Sequence, residues 1–199
     1  MEVHFTPTVL INPFNDRKLQ KWINRMSKSQ FQNKMGLELC IPTMTFNIVY
    51  LIIHIFRHLF GEGVGLRQVM DLYFIIRSSS ETDRKEASKI LCSFGLKRFT
   101  ESLLYVMEYV FGLDEEYKLF SPNKKHGVFL LNEIMLSGNM GHTDVRVNYR
   151  EEKNRMARFL KSILFTSRLI KEYPVDVICE PLNRIIVNLK IKKYKKVVY

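Results

Sequence analysis

Phe46-Asn-Ile-Val-Tyr50-Leu-Ile-Ile-His54-Ile-Phe-Arg57-His58-Leu-Phe60 is the stretch whose reading decides the fold. Nearly every position in it is apolar, and a helix that is apolar all round is a buried one. It is shorter than the roughly 20 residues a membrane span needs, so it reads as the central helix of a packed domain. Its three polar side chains, His54, Arg57 and His58, then pose an energetic question. Imidazole and guanidinium groups are costly to bury unless each finds a partner. The chain continues Gly61-Glu62-Gly63-Val-Gly65-Leu-Arg67-Gln68-Val-Met-Asp71, so the polar groups accumulate. They form either a closed structural network or a site.

Working outward, the segment opens at Pro42-Thr43-Met44-Thr45, with Thr43 or Thr45 as N-cap. Upstream, residues 2–10 are β-branched and aromatic with a proline, the pattern of a short strand. A lone strand is not stable, so this one reads as a remnant that pairs with something outside the chain. Asn15-Asp16 looks like a helix start, followed by Leu19, Trp22, Ile23 and Met26 at helical spacing. Downstream, helices are expected at 66–77, 81–93 (with Ser80 and Asp83 as a capping pair), 96–111 and 129–136. A long helix is expected at 151–173, its buried side formed by Met156, Phe159, Leu160, Ile163, Leu164 and Leu169. A last helix is expected at 175–190, with Pro181 near enough to its start to be tolerated or to kink it. Residues 114–126 and 138–144 read as polar loops. The fold class is mainly α, a compact multi-helix domain of seven or eight helices with a short N-terminal strand remnant. The division expected is 1–12 remnant, 13–189 helical domain and 190–199 basic tail.

The 199 residues are 46% hydrophobic and 12% aromatic, a globular composition rather than a disordered one. The net charge of +11 is unevenly placed, since Lys and Arg recur from Arg184 onward without an acid. That end is either a fraying, solvated terminus or an attractor of nucleic acid, an anionic membrane surface or a partner subunit. Cys40, Cys92 and Cys179 are far apart and odd in number, with no zinc spacing. A reducing cytoplasm is the compartment expected, and no secretory leader is recognised.

His54 and His58, four apart, share a helix face with Arg57 beside them. The zinc-protease pattern HExxH fails because Ile55 stands where glutamate is required, and with no third ligand in view no metal is assigned. Guanidinium forks suit phosphate, so Arg57, His58 and Arg67 are the candidate phosphate- or substrate-binding residues. His54, Glu62, Gln68, Asp71, Asn139 and His142 are the accompanying network. The bland alternative pairs Arg67 or His58 with Glu62 or Asp71, Arg67–Asp71 being the default intrahelical pair. His126 and Asp144 add polar groups in loops that are ordinarily solvated. Gly61-Glu-Gly63-Val-Gly65 follows a helix rather than a strand and lacks the last glycine of a dinucleotide fingerprint. Its glycines are read as a helix stop and tight turn. No complete catalytic signature is present.

The sequence resembles the uncharacterised nucleotidyltransferase family common in Bacteroidetes and associated with capsular polysaccharide loci, specifically its carboxy-terminal helical portion. The resemblance is carried by Glu2-Val-His4-Phe5, Pro13-Phe-Asn15, Thr45-Phe46-Asn47, the His54 to Asp71 block, Gly138-Asn139-Met-Gly141-His142 and Glu180-Pro181-Leu182. It implies a catalytic domain upstream in which an Asp-x-Asp pair and a third acid hold divalent metal, Mg²⁺ in a complete member. It places Glu2 in the region of the third acid. It also implies a nucleotide or phosphorylated acceptor as ligand and the missing catalytic half as partner. This chain contains no Asp-x-Asp pair, so the expectation is a helical part without transfer activity of its own. The rival expectation is a basic helical binding module.

Overall fold

The computed structural model describes residues 8–32, 34–35, 39–61, 63–137, 144, 146 and 153–195, and the side chains of these except 28–40 and 186–195. Eight α-helices are present among the described residues, together with one 3-10 turn and a two-residue antiparallel bridge. The domain is mainly α, as the periodicity requires. The helices are α1 Pro13–Gln32, α2 Met44–Phe60, α3 Leu66–Ser78, α4 Glu81–Ser93, α5 Lys97–Phe111, α6 Lys124–Ser137, α7 Arg155–Ser167 and α8 Pro174–Lys195. Between α1 and α2, Lys34 pairs with Cys40 and Met35 with Leu39.

The expected strand at 2–10 falls mostly on residues 1–7, which lie outside the described residues. Thr8 to Leu10 are not strand, although Thr8 and Leu10 are buried. The α1 start is earlier than Asn15. Asn12 accepts from the Phe14 amide at 3.0 Å, and Pro13 occupies the first helical position, where its missing N–H is no loss. Asp16 instead reaches back to accept from the Leu10 amide at 2.9 Å.

α2 is the core helix. Ile48, Val49, Ile52, Ile53, Ile55, Phe56 and Leu59 are at most 1% exposed, each worth about 1.5–3 kcal/mol of removal from water. Thr43 is its cap, accepting from the Phe46 amide at 3.3 Å, while Thr45 donates to Asp83 of α4 at 2.9 Å. α2 packs on α3 and α4, and α5 on α3, α4 and α6. Phe56, Phe60, Phe99 and Tyr173 form one aromatic cluster with centroids 4.9–6.1 Å apart. That cluster ties α2 and α5 to the entry of α8.

Two expectations are corrected. α6 begins at Lys124, five residues before the expected 129, and runs through Gly127, which acts as a packing residue. A Cβ placed there would meet the Tyr105 ring of α5 at 2.3–2.4 Å, so only glycine lets the two helices approach. The long helix expected at 151–173 is instead α7, capped by Asn154, which accepts from the Met156 and Ala157 amides. It ends in a turn over 168–172, and residues 151–152 lie outside the described residues. Its expected buried side holds only in part: Leu169 is buried, beyond the end of α7, and Phe159 and Ile163 are half-buried, but Met156, Leu160 and Leu164 are 67%, 55% and 71% exposed, and Ser162, Phe165 and Thr166 are buried instead. α8 runs on to Lys195 with Pro181 inside it, so the first part of the basic tail is helical backbone.

The Gly127 contact sets a sign against ordinary propensity. Glycine to alanine inside a helix normally stabilises by about 1 kcal/mol, but overpacking a tight contact costs about 1–3 kcal/mol. Gly127→Ala is expected to lower the thermal midpoint, read by circular dichroism. A rise would show that α5 and α6 do not approach this closely.

Candidate functional site

His54, Arg57 and His58 of α2 are not buried in the core. Phe46, Tyr50, His54 and His58 recur every four residues, which keeps them on one side of the helix, and all four are half-buried. Arg57 is exposed. The side chains form a continuous ladder. Trp22 of α1 stacks on Phe46 at 5.2 Å, Phe46 on Tyr50 at 6.1 Å, and Tyr50 on His54 at 6.0 Å. His54 meets His58 at a ring angle of 78°, centroids 4.4 Å apart, with the two Nε2 atoms 3.0 Å apart.

Residues 61–65 bring α3 alongside the end of α2. The His58 carbonyl accepts from the amides of Gly61 at 3.1 Å and Gly63 at 2.7 Å. Gly63 has φ 85°, a conformation natural to glycine. A Cβ on Gly61 would meet nothing closer than the Arg57 carbonyl oxygen at 3.6 Å. The loop is thus a helix stop and turn. Gln68 folds back to accept from the Gly65 amide at 3.2 Å, occupying a donor that a bound anion would need. Arg67 and Asp71 are both exposed, and among the described residues no ion pair joins them, which corrects the default intrahelical reading. Glu2, Glu62, Asn139 and His142 lie outside the described residues.

The polar network that is buried lies elsewhere. Glu133 of α6 and Asp144 are 6% and 5% exposed. Glu133 accepts from Arg168 at 2.7 Å and from Arg146 at 3.2 Å. Arg146 also donates three side-chain bonds to Asp144 at 2.8–3.1 Å. Arg168 lies over the Phe165 ring at 3.6 Å and donates to the Leu59 carbonyl at 2.8 Å. Burial works to raise the Asp144 carboxyl, and the Arg146 bonds overcome it, holding it below its ordinary value. Arg146 is raised, chiefly by Asp144, whereas burial lowers Arg168 against the pull of Glu133. Two acids and two guanidiniums close the charge, as a buried cluster requires.

A second group lies at the start of α8. Burial pushes Asp176 up to about 6 against the opposing Asn12 backbone bond. Burial also raises Glu180 despite its bond from Arg184, and Glu180 Oε2 has no hydrogen-bond partner. Burial and then Asp176 raise the Cys179 thiol. His126, expected in a solvated loop, lies in α6 with its Nδ1 2.5 Å from Glu172 Oε2, without the alignment of a hydrogen bond. Glu133, Arg146, Arg168 and Asp176 were not singled out by sequence. The signal was present for Glu133, a lone acid within Leu130-Leu-Asn-Glu133-Ile134.

Among the described residues the donor set does not fit a carboxylate-held pair of magnesium ions. Among the described residues no three His, Cys, Asp or Glu side chains converge, and the carboxyls of Glu133 and Asp144 are taken by arginines. None of the described helices is long and apolar enough to cross a membrane.

A family model described as an uncharacterised nucleotidyltransferase matches residues 1–112, more than half of the chain, and the chain belongs to that family. The match takes in α1 to α5 and the His54–Asp71 block; the Glu133 network lies beyond it. No curated protein and no solved structure matches the chain.

Breaking a buried ion cluster by removing one partner costs about 3–5 kcal/mol. Glu133→Gln is therefore expected to lower the thermal midpoint by roughly 6–20 °C for a domain of this size. Glu115→Gln, whose side chain is 82% exposed, serves as control and is expected to shift it by about 2 °C or less. Equal shifts in the two variants would refute the network's role.

Proposed function

We propose that this family member is the helical, acceptor-side portion of a nucleotidyltransferase and does not transfer nucleotides by itself. One observation carries the reading. Arg57 near the end of α2 and Arg67 at the start of α3 are both exposed, while the sequence has no Asp-x-Asp pair to hold metal. Cations without a carboxylate cluster can bind and orient phosphates but cannot supply the metal clamp of the transfer step. In this reading Arg57, His58 and Arg67 face the phosphates of a nucleotide or phosphorylated acceptor, and the acceptor is an intermediate of capsular polysaccharide assembly. Glu2 contributes the third acid of a catalytic centre completed elsewhere.

The purified chain, given each nucleoside triphosphate with Mg²⁺, is expected to release no pyrophosphate above the uncatalysed rate. Robust release sinks the proposed inactivity. Nucleotide retention, measured by equilibrium dialysis, is expected to weaken about tenfold in Arg57→Ala and in Arg67→Ala, the loss of one charge-assisted hydrogen bond each. Unchanged retention would remove the phosphate role.

A second reading, a basic module for nucleic acid, is favoured by α1. A groove of about 270 Å³ beside α4 is lined by Lys18, Lys21, Trp22, Arg25, Ile90, Ser93 and Phe94, three cations with no acid. Anisotropy with a single-stranded oligonucleotide is expected to show affinity falling with the logarithm of salt at a slope near −0.7 per phosphate contacted. The slope is expected to flatten in the Lys18→Ala, Lys21→Ala, Arg25→Ala triple variant or on deletion of 190–199. Salt-insensitive binding unaffected by either change would exclude this reading.

A further inference from the structure

We propose that α7 and α8 carry an amphipathic surface that docks on an anionic lipid bilayer, lying in its interface rather than crossing it. Apolar exposure is concentrated on these helices. Among the described residues, eight of the eighteen large apolar side chains that stand exposed fall between residues 156 and 185. They are ordered rather than scattered. Met156, Leu160 and Leu164 follow at steps of four on α7, and Val175, Ile178, Leu182 and Ile185 at steps of three and four on α8. At about 100° per residue each set spans about 80° of its helix, so each helix presents one aliphatic stripe to solvent. The α8 stripe is 47–67% exposed along its length. Single exposed apolar residues are ordinary, but stripes of them on two helices that pack together mark a docking surface.

The charge around the stripes selects the occupant. Among the described residues from 153 to 185, every exposed charged side chain is Lys or Arg, Arg155 and Lys171 among them. The acids there are withdrawn: Glu172 and Asp176 are half-buried and Glu180 is buried. The sequence then runs from Arg184 to its end without an acid, through Lys190, Lys192, Lys193, Lys195 and Lys196. A second copy of the chain would set this basic face against itself, because a two-fold interface repeats one patch on both sides, and like charges brought together are unfavourable. Single-stranded nucleic acid is held by aromatic stacking, whereas the exposed apolar side chains of α7 and α8 are all aliphatic. Anionic lipid matches both features at once. Its acyl boundary takes the aliphatic stripes and its headgroups take the lysines and arginines. None of the described helices is long and apolar enough to span the bilayer, so the helices lie on it.

The test is co-sedimentation of the full chain with vesicles of phosphatidylcholine containing phosphatidylglycerol, against vesicles of phosphatidylcholine alone. Binding is expected to be about tenfold stronger to the anionic vesicles. The variant carrying Leu160→Gln, Leu164→Gln, Ile178→Gln and Leu182→Gln is expected to lose about tenfold in vesicle binding. Its thermal midpoint is expected to hold, since all four side chains are exposed. The Arg155→Glu, Lys171→Glu variant is expected to weaken binding to anionic vesicles by a similar factor and to leave binding to phosphatidylcholine unchanged. Four outcomes would overturn the proposal. They are no binding to anionic vesicles, equal binding to both vesicle types, undiminished binding by the glutamine variant, and a dimer in light scattering that the glutamine variant disperses, which would assign the face to a second copy. Loss of oligonucleotide binding in the glutamine variant would assign it to nucleic acid and overturn the proposal equally.

Discussion

The buried C-terminal end of α2 sets the terms for the rest of the fold. A helix leaves its last four carbonyls without intrahelical donors, and in a helix as deeply buried as α2 water cannot serve all of them. The amides of Gly61 and Gly63 supply Arg57 and His58. Leu59, 0% exposed, is served from more than a hundred residues away by Arg168. A largely buried guanidinium needs an acid, which Glu133 provides. Glu133 has a second guanidinium in Arg146, and Arg146 is balanced by Asp144. One orphan carbonyl on the central helix thus entails a chain of partners drawn from α6, residues 144 and 146, and the turn after α7.

That chain of partners joins the two parts of the molecule. The family match ends at residue 112, and Arg168, which serves the Leu59 carbonyl, lies beyond it with its partners. The first five helices and the last three therefore share a structural obligation rather than merely touching. The aromatic cluster of Phe56, Phe60, Phe99 and Tyr173 repeats the arrangement in apolar form, with Tyr173 reaching back from the entry to α8. The same network explains why α7 turns its aliphatic side outward. Phe165 is the ring on which Arg168 rests, so the helix is oriented by a cation–π contact. Ser162 and Thr166 then face inward, satisfied by carbonyls of their own helix.

Much of the fold was legible because local chemistry and periodicity agreed. Thr43 and Ser80 cap as their residue types dictate, and the bounds of α4 follow directly from them. The failures have a common cause, which is that a pattern of apolar residues does not say which partner will claim a face. Leu160 and Leu164 look like core residues until Arg168 takes Phe165. Phe129 looks like the start of its helix, whereas α6 begins at Lys124 and runs through Gly127, where Tyr105 excludes a side chain. The candidate site was half legible for the same reason. His54, Arg57 and His58 were conspicuous as polar residues in an apolar helix, but the argument that made them conspicuous assumed a helix covered on every side.

α2 is covered on most sides and open along one, and this resolves the energetic question its sequence poses. Successive steps of four residues advance 400° around a 3.6-residue helix, so Phe46, Tyr50, His54 and His58 drift by only about 40° per step. That drift holds them on one slowly winding stripe, which the core helices leave half-covered. Along it the chemistry grades from apolar to polar, with Trp22 and Phe46 closing one end against α1 and the two imidazoles ending beside the α2–α3 turn. The imidazoles meet each other there, Nε2 to Nε2 at 3.0 Å. Their ring planes and nitrogen positions are set by stacking and helix pitch, forces that act whether or not anything is bound. The half-covered side of the helix thus carries its imidazoles, while its other sides build the core.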